Sequence, residues 1–544
     1  MTFCDARHAV MISSGYLTTG SGWECCSATT APAHGGRGTN CHGPESPTPV
    51  GDRRCPAHHP WAGGGLLHSR GHGRAATRDH RAGARHRRIA ARHRGIAARH
   101  RRTADRPVDE RGTSGHHCAT TEPESTDAPS QTTPTADASG DFGTLTGVCG
   151  PGDASGATAR GVTDDSITVG TGADVENPFL PGLGIGFFAA AEAFAAWCNA
   201  AGGINGREII VNEHDGGLFN AGAAIVASCE TDFMMVGNGF AQDDQTVDPR
   251  LECELGQIPA YQTSVVASQS GLQVQPLPSP IDQWLVGGYR AVGEKYPGVL
   301  DAVGILGSAV PTQERNTLGA KAGAEAIGGT VVDVQRVPPG AVDNWRPYAE
   351  AQKAAGVEML IPGAAAIGSM TPYGQAMNNA GFAPTAMILD STAYKPVNYE
   401  TTAEADLAPF YLALQFWPEV LADQSPAVTQ AIEILDAIGS DASYDFEYVQ
   451  GLNAWLLFAV AAAACGSDLT VECVLEQAGG QEGWTAGGLV PPKDLSATDL
   501  RMNECFLIVR ATPDGWVYEE EMTKPNTEAF NCSPDNVASV TGVG

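Results

Sequence analysis

Histidine all but disappears from this chain after residue 117: thirteen of the fourteen lie before Cys118, and only His214 remains beyond it. One histidine excludes the zinc patterns built on paired histidines. It also leaves any Ser-His-Asp or Cys-His nucleophile a single possible base, His214, between Glu213 and Asp215. The competing reading of His214 is a plain surface or turn histidine. Also missing beyond Cys118 are a Walker A loop, a Gly-x-Gly-x-x-Gly after a strand, a Gly-x-Ser-x-Gly elbow and His-Glu-x-x-His. Their absence moves the expectation from catalysis toward binding, with no metal and no cofactor. Long apolar runs are scarce. None reaches the roughly 18 residues of a membrane span, and "AWLLFAVAAAAC" at 454–465 reads as a buried helix. A secretory signal needs an apolar stretch behind a basic start, and "HAVMISSGYL" is too polar to be one.

What is present divides into two compositions. Residues 1–117 contain 18 Arg, no Lys and 8 acidic residues, a net charge of +10, whereas the remainder has 15 basic against 54 acidic residues, a net −39. The basic part includes the tandem units "RHRRIAA", "RHRGIAA" and "RHRRTAD" starting at Arg85, Arg92 and Arg99. Arginine-rich arms attract polyanions. A chain so poor in apolar residues cannot offset its ordering entropy, however. Residues 1–117 are therefore expected to be disordered, and to be translated from upstream of the true start. Residues 118–160 form a Ser-, Thr-, Pro- and acid-rich tether. Beyond Cys118 there are eight cysteines, at 149, 198, 229, 253, 465, 473, 505 and 532, none in a Cys-x-x-Cys pair. An even number without metal spacing favours disulfides and an oxidising compartment. A cysteine followed by a tether fits a lipid-anchored exported protein whose signal lies in another frame or start. The alternative is that Cys118 is an ordinary residue of a tail.

From Val162 onward strands and helices alternate. "SITVG" leads to a helix carrying Phe187, Ala191, Phe194 and Cys198 on one face, which ends at Gly202-Gly203 and turns through Asn205-Gly206 into "REIIVNEHD". A helix at 219–229, the strand "DFMMVGNG", a helix at 243–255 and the strand "IPAYQ" continue the rhythm until "VQPLPSPIDQW" interrupts it. A second series runs from a helix at 281–295 to the strand "AMILDS". Alternation of this kind predicts an α/β fold with parallel sheets, and two series predict two domains. The helices near 425–438 and 446–464 exceed what the second series needs and are assigned back to the first. The expected organisation is lobe 1 at 161–277 and 414–490, lobe 2 at 278–413, and a disulfide-tied C-terminal segment at 491–544. Ligands of open parallel sheets sit outside the carboxyl ends of the strands.

The stretches "GVTDDSITVG", "WCNAAGGINGREIIV", "CETDFMMVGNG" and "GQIPAYQTS" resemble the leucine/isoleucine/valine-type (type I) periplasmic solute-binding proteins of ABC importers, over roughly 160–535. The resemblance implies two Rossmann-like lobes joined by three crossings that close on a small polar solute, an amino acid, amide or related compound. It also implies a monomeric partner of an ABC permease that is extracytoplasmic, binds no nucleic acid and is not an enzyme. Its alternative is a ligand-sensing ectodomain or amide-responsive regulator on the same fold.

By position, the resemblance places ligand contacts at Glu176, Asn177 and Phe179, at Asn238, Phe240 and Gln242, and at Tyr261, Gln262, Thr263 and Ser264. In the second lobe they fall at Ala309 to Thr312, Gly363 to Ala364, and Asp390 to Tyr394, including Thr392. For an α-amino acid the resemblance assigns Thr263, Ser264 and Thr392 to the carboxylate and Asp390 to the ammonium. The run "YQTSVVAS" departs from the family's usual Ser-Pro-x-Ala-Thr. Thr263 and Ser264 also read as helix caps, Phe240 and Tyr394 as core aromatics, and Asp390 as a turn-former. Cys229 is expected to pair with Cys253, because helices on successive right-handed crossovers lie side by side. Cys465 with Cys473 would close a short loop and Cys505 with Cys532 would hold the tail, leaving Cys149 with Cys198.

Overall fold

A computed structural model describes residues 139–338, 342–368, 370–404, 408–495 and 500–543. The expectations for 1–117 and for Cys118 lie outside the described residues.

The chain begins β1 (Ser166–Ala173), α1 (Ile185–Ala201), β2 (Glu208–Asp215), α2 (Ala221–Thr231), β3 (Met234–Val236), α3 (Asp244–Glu252), β4 (Gly256–Ile258) and the single turn α4 (Val265–Ser268). The four strands form one parallel sheet in the order β2-β1-β3-β4. The reversal from α1 into β2 is made by glycine and asparagine. Gly202 and Gly203 take positive φ of 111° and 76°, with the amide of Gly203 donating to the Cys198 carbonyl at 2.9 Å. Asn205 and Gly206 follow at 52° and 87°. Such angles cost an ordinary side chain and cost glycine nothing sterically. The strand expected at 258–262 stops at Ile258, because Pro259 has no N–H with which to extend a ladder.

The second series comprises β5 (Gln283–Leu285), α5 (Gly287–Lys295), β6 (Val303–Ser308), α6 (Glu314–Ala326), β7 (Val331–Val337), α7 (Arg346–Ala355), β8 (Met359–Ile361), α8 (Gly363–Ala366), α9 (Thr371–Ala380), β9 (Ala386–Asp390), α10 (Pro396–Glu404) and β10 (Phe410–Leu414). Then come α11 (Pro426–Ile438), α12 (Phe446–Cys465), α13 (Val471–Gly479), β11 (Cys505–Thr512), β12 (Gly515–Tyr518), α14 (Glu520–Thr523), β13 (Asn531–Cys532) and β14 (Val537–Ser539). The second sheet runs β12-β11-β10-β9-β8-β6-β7, parallel from β10 to β7 and closed on its other side by the antiparallel β11 and β12. Its order β7-β6-β8-β9 repeats that of the first sheet. Residues 283–285, expected in a helix, instead form β5, paired antiparallel with β14 from the chain end.

Three crossings join the halves. After α4 the chain passes to the second sheet, after β10 it returns so that α11 and α12 pack on α1, and after α13 it crosses again to supply β11. Helix α12 is the described helix long and apolar enough to cross a membrane, but most of it is enclosed. Its Trp455 stacks on Phe194 of α1 at 5.4 Å. Four disulfides link Cys149 to Cys198, Cys229 to Cys253, Cys465 to Cys473 and Cys505 to Cys532.

Candidate ligand cleft

Between the carboxyl ends of the two parallel sheets lies a cavity of about 1040 Å³, open mouth included. A second space of about 820 Å³ adjoins it, sharing Tyr261, Trp284, Tyr289, Asn316, Asp390 and Phe446 among its walls. Loops after β1, β3 and β4 contribute Gly184, Phe240, Tyr261 and Thr263, while loops after β6, β8 and β9 contribute Gln313, Ala364, Asp390 and Thr392. Both halves thus present their strand tips, where the topological switch of an open α/β sheet leaves a crevice.

The loop after β3 is fixed by two buried carboxylates. Asp174, at the end of β1, accepts from the amides of Ala241 at 2.7 Å and Leu218 at 2.8 Å. Burial raises its pKa against the pull of those amides, with the charge of Asp215 adding to the rise. Asp243 accepts from the amide of Thr263 at 2.6 Å, the amide of Ser264 at 3.0 Å and the hydroxyl of Thr263 at 3.0 Å. Burial raises the Asp243 pKa as well, opposed by the hydrogen bonds from Ser264 and Thr263. With its N–H held by Asp174, Ala241 offers its carbonyl across the cleft to the hydroxyl of Thr312 at 2.8 Å and to the Gln313 amide at 3.4 Å.

On the opposite wall Asp390 ends β9. Its Oδ1 accepts from the amide and hydroxyl of Thr392, at 2.9 and 2.5 Å, and caps the short turn that follows. Oδ2 has no hydrogen-bond partner among the described residues. Burial raises the Asp390 pKa against the two bonds from Thr392. Lys395 bonds Glu447 at 2.5 Å, linking the segment after β9 to the first turn of α12. Asp445, the N-cap of α12, lies beside this pair. Burial, and then the charge of Glu447, push Asp445 up to about 7, with Lys395 pulling the other way.

Seven of the residues singled out from the sequence face the cavity: Phe240, Tyr261, Thr263, Gly363, Ala364, Asp390 and Thr392. Others are engaged elsewhere. Asn177 accepts from the amides of Phe179 and Leu180 to make a local turn, Phe179 is exposed against Phe219, and the amide of Glu176 donates to Asp215. Asn238 is buried beside Gln257, Gln242 accepts from Gln245, and Gln262 donates to the Ala267 carbonyl and Gln273. Ser264 caps α4, accepting from the Ala267 amide at 3.1 Å. Tyr394 stacks on Trp516 and accepts from the Glu419 amide. Thr312 bridges the cleft instead of lining it. His214 lies outside the cavity wall, its Nε2 2.6 Å from Asp232 Oδ2. Asp232 is held below its ordinary pKa: burial opposes this, but the bonds from His214, Ser228, Asn212 and Thr231 outweigh it.

Much of the cavity wall is apolar. Phe187, Trp284, Tyr289, Ile305, Leu389 and Phe446, none of them expected from the sequence to touch a ligand, make most of the lining apolar and aromatic. They come from helix first turns and strand interiors, where a sequence reading counts an apolar residue as core.

Two lobes, three crossings and a cleft at the facing strand tips define the periplasmic binding protein fold of type I. A family model described as periplasmic binding protein matches residues 287–515. The chain is similar in structure to the fatty acid ABC transporter substrate-binding protein from Thermomonospora curvata, at 18% identity and TM-score 0.54 over 71% of this chain and 97% of that one. It is similar to a branched-chain amino acid ABC transporter protein from Thermus thermophilus with bound valine, at 16% identity and TM-score 0.54 over 68% and 98%. A solute-binding protein of an ABC transporter from R. palustris in complex with 4-hydroxybenzoate gives 16% and 0.53 over 68% and 98%. No curated protein matches the chain.

Proposed function

We propose that this protein is an extracytoplasmic, monomeric, non-enzymatic solute-binding component of an ABC importer, tethered to the cell membrane, which captures a solute by lobe closure and presents it to the permease. The observation that carries the reading is the cavity enclosed by the carboxyl ends of two parallel sheets and bridged from Thr312 to Ala241. Three crossings permit a hinge, and a bond that spans the cleft favours the closed state only while both walls are in place. The apolar lining indicates a solute with a substantial apolar body, not a small polar one. Burial of such a body at about 25 cal/mol per Å² supplies the driving force, and a few polar groups fix its orientation.

The test is a thermal-shift screen of amino acids, amides, aromatic acids, fatty acids and amines, followed by small-angle scattering with each hit. A ligand present at 100 to 1,000 times its Kd should stabilise the protein by roughly 3 to 4 kcal/mol and reduce its radius of gyration. Turnover of a hit, or binding without compaction, would overturn the reading.

A further inference from the structure

We propose that the solute is an amphipathic organic amine, with an apolar body and one cationic head but no carboxylate, the head sitting against Asp390; this rests on the solute-binding reading above. The polar groups at the cavity favour a cation over an anion. Adjacent backbone amides with a hydroxyl beside them form a natural anion cradle. Here the cradle of Thr263 and Ser264 is filled from within by the Asp243 carboxylate at 2.6 to 3.0 Å. A solute carboxylate would have to displace a carboxylate that belongs to the chain.

The cationic groups are also engaged, and the donor unpaired among the described residues, the Thr317 hydroxyl, carries no charge. Lys395 is bonded to Glu447. Arg315, buried at the edge of the adjoining space, gives Nη1 to the Ser279 hydroxyl at 2.7 Å and Nη2 to the Pro280 carbonyl at 2.6 Å. The charged group left over carries the opposite sign. Asp390 Oδ2 has no partner among the described residues, and its residue lines both adjoining spaces. Around it stand Tyr261, Trp284, Tyr289 and Phe446, aromatic rings whose faces attract a cation. A carboxylate half-buried among apolar walls without a counter-charge is costly. A cationic head supplies that charge, and the aliphatic and aromatic walls take the remainder of the molecule.

Matched pairs that share a body and differ in head group test this directly: phenethylamine against phenylacetate and 2-phenylethanol, and octylamine against octanoate, by calorimetry on the oxidised protein. The expected result is that the amines bind at least tenfold more tightly than the acids. Asp390→Asn should reduce amine affinity at least tenfold while changing 2-phenylethanol affinity less than threefold. Tighter binding of phenylacetate or octanoate than of the amines would overturn the amine assignment but leave the solute-binding reading in place. So would amine binding unaffected in Asp390→Asn. Failure of all five probes to bind would overturn the amine assignment, and the broader screen then decides the solute-binding reading separately. Should Asp390→Asn not fold, Thr392→Val, which removes the hydroxyl that orients the carboxylate, is expected to weaken amine binding more than alcohol binding; an equal effect on both would count against the proposal.

Discussion

The carboxylate of Asp243 lies 2.6 Å from the amide nitrogen of Thr263, closer than any other bond in its cradle, and this one contact joins the loop after β3 to the loop after β4. Replacing Asp243 by alanine strands two buried amides and a hydroxyl. Each buried donor left unpaired costs on the order of 1–3 kcal/mol. We expect Asp243→Ala to lower unfolding stability by roughly 2–4 kcal/mol in urea, and acetate to restore part of the loss while leaving the parent protein unchanged. No rescue by acetate would show that the cradle collapses once its carboxylate is gone.

Thr312 and Ala241 bridge the cleft at 2.8 Å. Thr312→Val keeps the shape and deletes the donor. A net hydrogen bond is worth about 1 kcal/mol, so a solute identified in the screen should bind about fivefold more weakly, with the change in its dissociation rate. On the proposed closure mechanism the bond belongs to the closed state alone, so urea unfolding of the ligand-free protein should shift by less than about 0.5 kcal/mol. A large loss of ligand-free stability would mean that Thr312 matters to the fold and not to closure.

The alternation of strands and helices was legible because parallel strands buried on both faces read as short apolar runs between helical patterns, as at Met234–Val236 and Met359–Ile361; the order of strands in each sheet was not. The tail was not. Strand β14 pairs with β5 across some 250 residues of sequence, and nothing local to "QWL" or "VAS" announces that partnership. The cleft was half legible for a related reason. Asp390 and Thr392 stand at a strand end, where the family resemblance places ligand contacts. Asp174 and Asp243 are recognisable only once the amides they accept from are in view. Phe187 and Phe446 look like core residues in sequence because helix periodicity cannot tell a core wall from a cavity wall.

The disulfides differ in the length of chain they close. Cys149 and Cys198 are separated by 49 residues, and Cys465 and Cys473 by 8. Loop-closure entropy gives about 4 kcal/mol for the first and about 2.5 kcal/mol for the second. The paired variant Cys149→Ala with Cys198→Ala should therefore melt below the paired variant Cys465→Ala with Cys473→Ala. Differential scanning calorimetry of both, with all other disulfides intact, checks the order. The reverse order would place the stabilising effect in native packing near α13 rather than in the unfolded chain.

Asp445 makes stability depend on pH in a direction opposite to that of most carboxylates. Its pKa rises from an ordinary 3.8 to about 7 on folding, chiefly through burial and then through Glu447. The folded protein therefore binds this proton more tightly than the unfolded chain does. The contribution is fully present below the unfolded pKa and is lost as pH rises through about 7. The neutral acid leaves Lys395 and Glu447 as a matched pair; ionisation adds a second buried negative charge beside them. Asp445→Asn copies the neutral form and keeps an N-cap acceptor for the Tyr448 amide. The parent protein should lose melting temperature relative to the Asn variant as pH rises from its unfolded pKa of 3.8 to about 7, so that the variant is the more stable above pH 7 and the two converge only below the unfolded pKa. Parallel curves across that range would show that Asp445 stays ionised throughout and that Lys395 alone balances both acids.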